Sequence, residues 1–245
     1  PIPRKLWLRI FIATLSGYVV NAVVMYKGVI LTGGLNASLI YLLAPIMLYF
    51  GSIRVLKDKY NHKIMVSVIA GFVGTILIVG APLLAGQSSA KGSLIGNILI
   101  IIAATTDVIG TILIKPVLKK VPTMQLVAIR SMIAVILLIP LILHELPLLP
   151  HIHLTTETTL TLGYNLIFST LIAIYLYHWG FKKVSGVRIS PLQYLDPTIG
   201  AIASMVILSQ RPALSTIVGI SLVFVGLYIG GGHKLRFAHH ATHHR

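Results

Sequence analysis

The chain has 245 residues, of which 56% are hydrophobic and only 10% carry a charge. A soluble domain carries about 25% charged residues, so this composition excludes a water-soluble globular protein and indicates a membrane protein. The formal net charge of +15 raises nucleic-acid binding as a function. The Lys and Arg residues are scattered between apolar segments and form no single basic face, which excludes that function. The absence of Cys excludes a disulfide framework and thiolate chemistry.

Eight apolar segments are long enough to cross about 30 Å of hydrocarbon, which takes roughly 20 helical residues. In chain order they lie near Leu6–Leu31, Asn36–Val55, Met65–Ala85, Ser93–Pro116, Leu126–Leu143, Leu160–Trp179, Ser190–Leu208 and Leu214–Gly230. Short loops join them. The sequence therefore predicts an all-α integral membrane protein with eight transmembrane helices visible in this chain.

The positive residues predict the orientation of these helices, because cytoplasmic loops are rich in Lys and Arg. If residue 1 is placed in the cytoplasm, most of the Lys and Arg residues fall on that side. They are Arg4, Lys5, Arg9, Arg54, Lys57, Lys59, Lys63, Lys115, Lys119, Lys120, Lys182, Lys183, Arg188, Lys234, Arg236 and Arg245. The outer side receives Lys27, Lys91 and Arg211, and Arg130 lies within a span. We expect a multi-pass protein of the plasma membrane with a cytoplasmic C-terminus.

The chain contains an internal repeat. Four small or special residues recur with identical spacing 152 positions later: Gly28, Gly34, Ser38 and Pro45 return as Gly180, Gly186, Ser190 and Pro197. Downstream, VGTILIVGA at 73–81 parallels VGISLVFVG at 218–226. The corresponding spans run in opposite directions through the membrane, so the two copies are inverted. Inverted repeats are common in secondary transporters, whose substrate site lies near the midplane between the repeats.

The repeat also predicts how the chain is organised. Spans four and five have no counterpart in this chain, so we expect two further helices before residue 1 and ten in the intact protein. Residues 1–86 are then the last three helices of the first repeat, and 93–230 are a complete five-helix second repeat. Residues 231–245 form a basic, His-rich cytoplasmic tail.

Glycines recur within the third and eighth spans. They are Gly71, Gly74 and Gly80, and Gly219, Gly226 and Gly230. Small residues let helix backbones approach closely in a membrane, so these positions predict close helix packing.

Two of the five acidic residues, Asp107 and Asp196, lie inside predicted spans. A carboxylate there costs about 2.5 to 3.5 kcal/mol on insertion scales, which makes each residue a candidate for function. Asp107 either binds a proton or cation during transport or has a structural role. The structural role is a pair with Arg130 or Lys115, or a hydrogen bond to Thr106 or Thr111. Asp196 precedes Pro197, which removes a backbone donor and can open the helix. It either lines a binding site or stabilises a kink.

Other polar residues in the spans also have two interpretations each. Arg130 either extends to the membrane surface or serves as a counter-ion for a carboxylate or an anionic substrate. His178 and Trp179 are interpreted as interfacial anchors. A cavity-lining role is the alternative for His178, as it is for Tyr194 and Gln193.

Ten His residues raise a metal hypothesis. His144, His151 and His153 share an outer loop, and four others crowd the tail. No Cys supports a zinc site. We interpret the tail as a solvated basic segment near anionic lipid headgroups, and we expect no metal site and no cofactor.

Several short motifs in the second half of the chain match those of a known family. The sequence Tyr194-Leu195-Asp196-Pro197 is followed by small and apolar residues up to Ser209, and Gly219 and Gly226 come later. These segments resemble the "YLEP" helix and the closing glycine helix of EamA-type carriers in the drug/metabolite transporter superfamily. The resemblance covers nearly the whole chain, from residue 6 to residue 230.

The corresponding places in the first copy hold Leu43-Ala44-Pro45 and the glycine-bearing segment from Gly74 to Ala81. The chain departs from the family pattern at Gln210, where a Glu usually closes the helix. The resemblance implies ten helices in two inverted five-helix repeats, both termini in the cytoplasm, and export or exchange of small metabolites.

The sequence therefore predicts a secondary transporter, not an enzyme, that exports or exchanges small metabolites or drug-like solutes by alternating access. Pro45 and Pro197 are candidate helix breaks or hinges. No P-loop is present, so an ion gradient or exchange would drive transport, with proton coupling as one option. The expected partners are a small-molecule substrate and the lipid bilayer, and a homodimer is left open.

Two alternatives remain at this point. One is a non-transporting membrane scaffold or truncated fragment. The other is a polytopic membrane enzyme acting on lipids, which needs a cluster of catalytic side chains at a membrane face. Only His151 and His153 are candidates for such a cluster.

Overall fold

A computed structural model of the chain describes residues 2–80, 93–146, 155–207, 209 and 212–231. Within these ranges, six helical segments are long and apolar enough to cross a membrane. They are α1 (Arg4–Thr32), α2 with α3 (Gly34–Val55), α4 (His62–Val79), α5 (Leu94–Leu118), α6 (Thr123–Glu145) and α7 (Thr156–Lys183). Every regular element in the described ranges is helical. The chain is therefore an all-α, multi-pass membrane protein, as its composition predicts.

The last two predicted spans correspond to shorter helices. The short helix α8 (Gly186–Ile189) leads through a 3-10 segment (Ser190–Tyr194) into α9 (Leu195–Ile207), and α10 covers Leu214–Ile229. At 1.5 Å per residue, the 16 residues of α10 extend about 24 Å, which is less than the hydrocarbon thickness. A total of eight membrane spans stays a prediction.

Polar residues in the loops define where the long helices begin. At the start of α4, the side chain of Asn61 accepts hydrogen bonds from the backbone N–H groups of Lys63 and Ile64, at 3.0 and 3.3 Å. At the start of α7, Thr155 accepts one from the N–H of Thr158 at 3.1 Å. Such caps satisfy backbone donors that have no partner inside the helix.

The second and seventh predicted spans are both irregular close to a proline. Helix α2 ends at Tyr41 and α3 begins at Leu43, two residues before Pro45. In the seventh span, the 3-10 segment ends three residues before Pro197. A proline has no N–H for the carbonyl four residues earlier and its ring crowds that carbonyl. The backbone at both places accordingly departs from regular α-helical geometry.

The chain divides into two compact units. The first unit comprises Pro1–Val20 and Ile109–Lys182, and the second comprises Asn21–Val108 and Lys183–Arg245. These limits differ from those of the predicted repeats, because each repeat contributes residues to both units. The division into two repeats stays a prediction.

In the second unit, α4 packs against α10 through glycines, which confirms the predicted close packing at this position. A Cβ atom added to Gly74 would lie 2.6 Å from the carbonyl oxygen of Gly219. A Cβ atom added to Gly219 would in turn overlap the carbonyl oxygen of Gly74. Only glycine permits this approach, and the completely buried Val223 packs beside it.

The first unit contains a similar approach between α1 and α5. A Cβ atom added to Gly110 would lie 2.6 Å from the Cα atom of Gly17. Gly17 belongs to a π-helical stretch of α1, Leu15–Val20. Such wide turns occur frequently at functional sites. This one contains Tyr18, whose ring contacts the buried Arg130 of the same unit.

Candidate functional site

Asn21, Tyr41 and Asp107 form a chain of three polar side chains in the second unit. The hydroxyl group of Tyr41 donates a hydrogen bond to Oδ2 of Asp107 at 3.1 Å. The side-chain amide of Asn21 lies 3.4 Å from the same hydroxyl oxygen and donates to the backbone carbonyl of Ala103 at 2.8 Å. All three side chains are half-buried. They come from α1, α2 and α5, so the cluster joins three membrane-spanning segments.

This cluster can respond to a proton. While the Asp107 carboxylate is ionised, it accepts the hydrogen bond from Tyr41. A protonated carboxyl group carries a donor of its own, so proton binding changes the order of donors and acceptors along Asn21, Tyr41 and Asp107. A polar network of this kind in a membrane span is typical of ion pathways and proton relays.

Sequence reasoning missed two members of the cluster, Asn21 and Tyr41. Tyr41 could have been found, because the repeat offset pairs it with Gln193, which was already a candidate. Asn21 offers no such signal, because its counterpart at the same offset is Ala173.

A second cluster lies in the first unit around Arg130, whose side chain is only 2% exposed. Its Nη1 atom lies 2.6 Å from Nε2 of His178, and its Nη2 atom donates to the carbonyl of Ala13 at 3.2 Å. The Nε atom lies 3.4 Å from the hydroxyl oxygen of Thr14. The guanidinium carbon lies 3.9 Å from the centre of the Tyr18 ring, in cation–π geometry.

These contacts correct the interpretation of Arg130 as a residue that extends to the membrane surface. Snorkelling requires the charged head of the side chain to reach water. Here the head is enclosed by residues of α1 and α7, because they offer it hydrogen-bond acceptors and an aromatic face.

The same cluster corrects the interpretation of His178 as an interfacial anchor. His178 is 4% exposed, whereas its neighbour Trp179 is 41% exposed, so only the Trp fits that role. Arginine has no acceptor, so Nε2 of His178 accepts the hydrogen bond from Arg130. The other ring nitrogen lies 2.8 Å from the carbonyl of Ile174 and donates to it. This assignment gives a neutral imidazole.

The remaining candidates lie along the seventh span, in the second unit. Tyr194 is 1% exposed, and its hydroxyl group donates to the carbonyl of Leu42 at 3.1 Å. Gln193 and Pro197 are half-buried, whereas Asp196 is exposed. Tyr194 is therefore enclosed within the unit, and Asp196 lies at its surface.

The candidate hinge in the second span is Pro45, which is buried. The histidines considered for metal binding, His151 and His153, and those of the tail lie outside the described residues. In the part of the chain that the structure describes, no three His, Asp or Glu side chains are grouped in a way that could hold a metal ion.

Comparisons with known proteins add a family and a fold. The EamA-like transporter family matches residues 94–230, which is more than half of the chain. The uncharacterized transporter YetK of Bacillus subtilis (strain 168) is 24% identical over 229 residues, covering 90% of this chain and 66% of that protein. An uncharacterized transporter of Archaeoglobus fulgidus is 23% identical over 221 residues, covering 90% of this chain and 76% of that protein.

One solved crystal structure superposes on the chain with a TM-score of 0.77 and 16% sequence identity. The match covers 91% of this chain and 76% of the other. At this identity the likeness shows the fold alone. The chain spans just under two thirds of the length of the Bacillus relative.

Proposed function

This chain belongs to the EamA-like transporter family, and from that membership we propose that it is a secondary transporter that works by alternating access. It exports or exchanges small metabolites or drug-like solutes across the plasma membrane, with its C-terminus in the cytoplasm. The observation that carries the proposal is the cluster of Asp107, Tyr41 and Asn21 inside three membrane-spanning segments. A scaffold has no need of a half-buried carboxylate there, because the residue opposes insertion.

We assign proton coupling to Asp107. Its carboxylate is held by a hydroxyl group that can also donate elsewhere, so proton binding and release are accompanied by a change in the hydrogen bonds of α2. This change links the protonation of Asp107 to the position of a helix that is already interrupted at Leu42, one residue after Tyr41.

Asp196 is assigned to the solute path. It lies in the first turn of α9 and is exposed on the second unit. An exposed carboxylate in a membrane-spanning segment is stable where it faces water or a polar cavity and unstable where it faces lipid. Two carboxylates in the path favour neutral or cationic solutes over polyanions.

Contacts between equivalent residues support two inverted repeats. Tyr194 and Leu42, which hydrogen-bond to each other, are separated by the repeat offset of 152 residues. Gly74 and Gly219, which contact each other reciprocally, are the second residues of the matching segments VGTILIVGA and VGISLVFVG. Equivalent residues meet in this way on a two-fold axis. Such an axis in the membrane plane is the architecture of many secondary transporters.

Flux into proteoliposomes tests the proposed function. The protein is reconstituted and challenged with a panel of neutral and cationic metabolites, with and without a pH gradient. We expect uptake of at least one solute to depend on the gradient, and Asp107→Asn to abolish that dependence. The matched control is Glu157→Gln, which neutralises an exposed acid in the first turn of α7. If no solute in the panel moves with folded, inserted protein, the scaffold alternative replaces the transporter.

A further inference from the structure

One end of the second unit is closed by contacts between α3 and α8. Gly186 and Ser52 are both buried, and a Cβ atom added to Gly186 would overlap the hydroxyl oxygen of Ser52. The carboxylate of Asp58 accepts a hydrogen bond from the backbone N–H of Val187 at 3.2 Å. These contacts bring the loop after α3 against the beginning of α8.

The end of α3 positions Asp58 for this contact. Lys57 adopts a left-handed backbone conformation with φ of 59°, and the N–H of Asp58 then donates to the carbonyl of Ser52 at 3.2 Å. The same carbonyl also accepts a hydrogen bond from the N–H of Leu56 at 3.1 Å, so the chain turns sharply back on itself where α3 ends. The hydrogen bond between Asp58 and Ser52 keeps these two residues adjacent, and both contact the beginning of α8.

The repeat offset gives the equivalent residues at the opposite end. Gly186 corresponds to Gly34, Ser52 to Ser204, and Ser190 to Ser38, so the two ends carry the same residue types. Gly34 begins α2 just as Gly186 begins α8. Residue 210, the counterpart of Asp58, is a Gln outside the described residues.

The two ends nevertheless differ in their contacts. Gly34 is exposed, and none of the described atoms lies within 4 Å of a Cβ atom added to it. Ser204 is half-buried and donates to the carbonyl of Gly200 in its own helix at 2.9 Å. Ser38 is exposed, whereas its counterpart Ser190 is completely buried. Identical residues in equivalent helices thus have different packing, which indicates a conformational difference.

We propose that these two sets of residues form a paired gate, in which the Ser52–Gly186 contact and the Ser204–Gly34 contact form in turn. The inference rests on the proposed function, because it specifies which residues alternate. In the present conformation the Ser52–Gly186 gate is closed and the Ser204–Gly34 gate is open. Lys57, Lys59 and Arg188 lie beside the closed gate, so the positive residues place it at the cytoplasmic face. The structure then represents an outward-open state.

Asp58 strengthens the closed gate. A hydrogen bond from a backbone N–H to an ionised carboxylate is about twice as strong as one between neutral groups. The bond from the N–H of Val187 to Asp58 therefore helps to hold the cytoplasmic gate closed in the present conformation.

Cysteine labelling tests the paired gate, because the chain has no Cys of its own. Ser38→Cys and Ser190→Cys serve as single reporters in separate proteins. A membrane-impermeant maleimide is added to intact cells for Ser38→Cys and to inside-out vesicles for Ser190→Cys. We expect rapid labelling at residue 38 and slow labelling at residue 190.

A larger side chain at Gly186 or Gly34 should shift the equilibrium between the two gates. Gly186→Val forces the closed gate apart, so labelling at residue 190 rises about tenfold and labelling at residue 38 falls. Gly34→Val occupies the open gate and blocks its closure, so labelling changes in the opposite direction. An added Cβ at Gly34 meets none of the described atoms within 4 Å, so this second variant introduces no steric overlap with them. Gly163→Val, in a helix position with no neighbouring described atoms, is the matched control.

Reciprocal changes at the two reporters support the paired gate. A rise at residue 190 with no change at residue 38 shows only local disruption and overturns it, as does Gly34→Val leaving both reporters unchanged. Solute flux is measured separately with the same proteins. Flux without reciprocal labelling overturns the gate and leaves the transporter standing. Reciprocal labelling without flux supports the gate and counts against the proposed function.

Discussion

The hydroxyl group of Tyr194 donates a hydrogen bond to the carbonyl of Leu42, the residue that precedes it by the repeat offset of 152 positions. Both residues lie where a membrane helix is irregular, close to Pro197 and Pro45 respectively. The hydrogen bond therefore joins the two interrupted helices at equivalent points.

Removal of this hydroxyl group should destabilise the protein. Tyr194→Phe leaves the carbonyl of Leu42 without that donor, and one buried hydrogen bond contributes about 1 kcal/mol. The phenyl ring still packs against Gly71, so the loss is confined to the hydrogen bond. The free energy of unfolding in a detergent titration measures the change. Tyr164→Phe, at a 61% exposed position, is the control. Equal stabilities of the two variants would contradict the assigned role.

Alanine at the crossing of α4 and α10 should have the opposite effect to alanine at an open helical glycine. Gly→Ala normally stabilises a helix by about 1 kcal/mol. At Gly74 and Gly219 the added methyl group meets a backbone oxygen, so each variant should instead lose about 1 to 3 kcal/mol. Gly163→Ala, which meets no described atom, should gain stability. The apparent melting temperatures of the three alanine variants in detergent measure these changes. Stabilisation by Gly74→Ala would contradict the close contact between α4 and α10.

Arg130 and His178 should be energetically coupled. The variants Arg130→Gln and His178→Phe each break the 2.6 Å contact between the two side chains. Residues in one hydrogen-bond network typically show coupling energies of about 0.5 to 3 kcal/mol in a double-mutant cycle. We expect a coupling of at least about 1 kcal/mol in the free energy of unfolding. A cycle that pairs His178→Phe with the exposed Lys120→Gln should be additive, and additivity in both cycles would exclude the coupling.

Tyr41 should be needed for gradient-driven transport. Tyr41→Phe keeps the ring in place and removes the donor to Asp107, a hydrogen bond to a charged group. Such bonds contribute about 1.5 to 3 kcal/mol, so gradient-driven uptake should fall about tenfold or more. Tyr26→Phe, at a position that is 73% exposed, should leave uptake unchanged. Unaltered uptake in Tyr41→Phe would remove Tyr41 from the coupling cluster.

Much of the fold could be predicted from the sequence, because apolar segments of membrane length and polar loops are local properties. The helix that contains Asp107 and the glycines at the α4–α10 crossing were identified in this way. The contacts of Tyr194 with Leu42 and of Gly74 with Gly219 were not predicted, although each pair joins positions that match in the two copies of the internal repeat.

The partners of the polar side chains could not be predicted. Arg130 follows a cytoplasmic loop by a distance that permits snorkelling, and the sequence did not decide between that role and a counter-ion role. Its actual neighbours, Thr14 and His178, lie 116 and 48 residues away. Hydropathy places residues within the membrane but does not say which faces of two helices meet. Tyr41 was missed for the same reason, because its contact with Asp107 spans 66 residues.

Simultaneous measurement of proton and solute movement tests the central claim most directly. Proteoliposomes containing the wild-type protein or Asp107→Asn are loaded with a transported solute and a pH-sensitive dye. The wild type should move protons together with the solute, whereas Asp107→Asn should still exchange labelled for unlabelled solute without moving protons. Proton movement at the wild-type ratio in Asp107→Asn would contradict the assignment of coupling to this carboxylate.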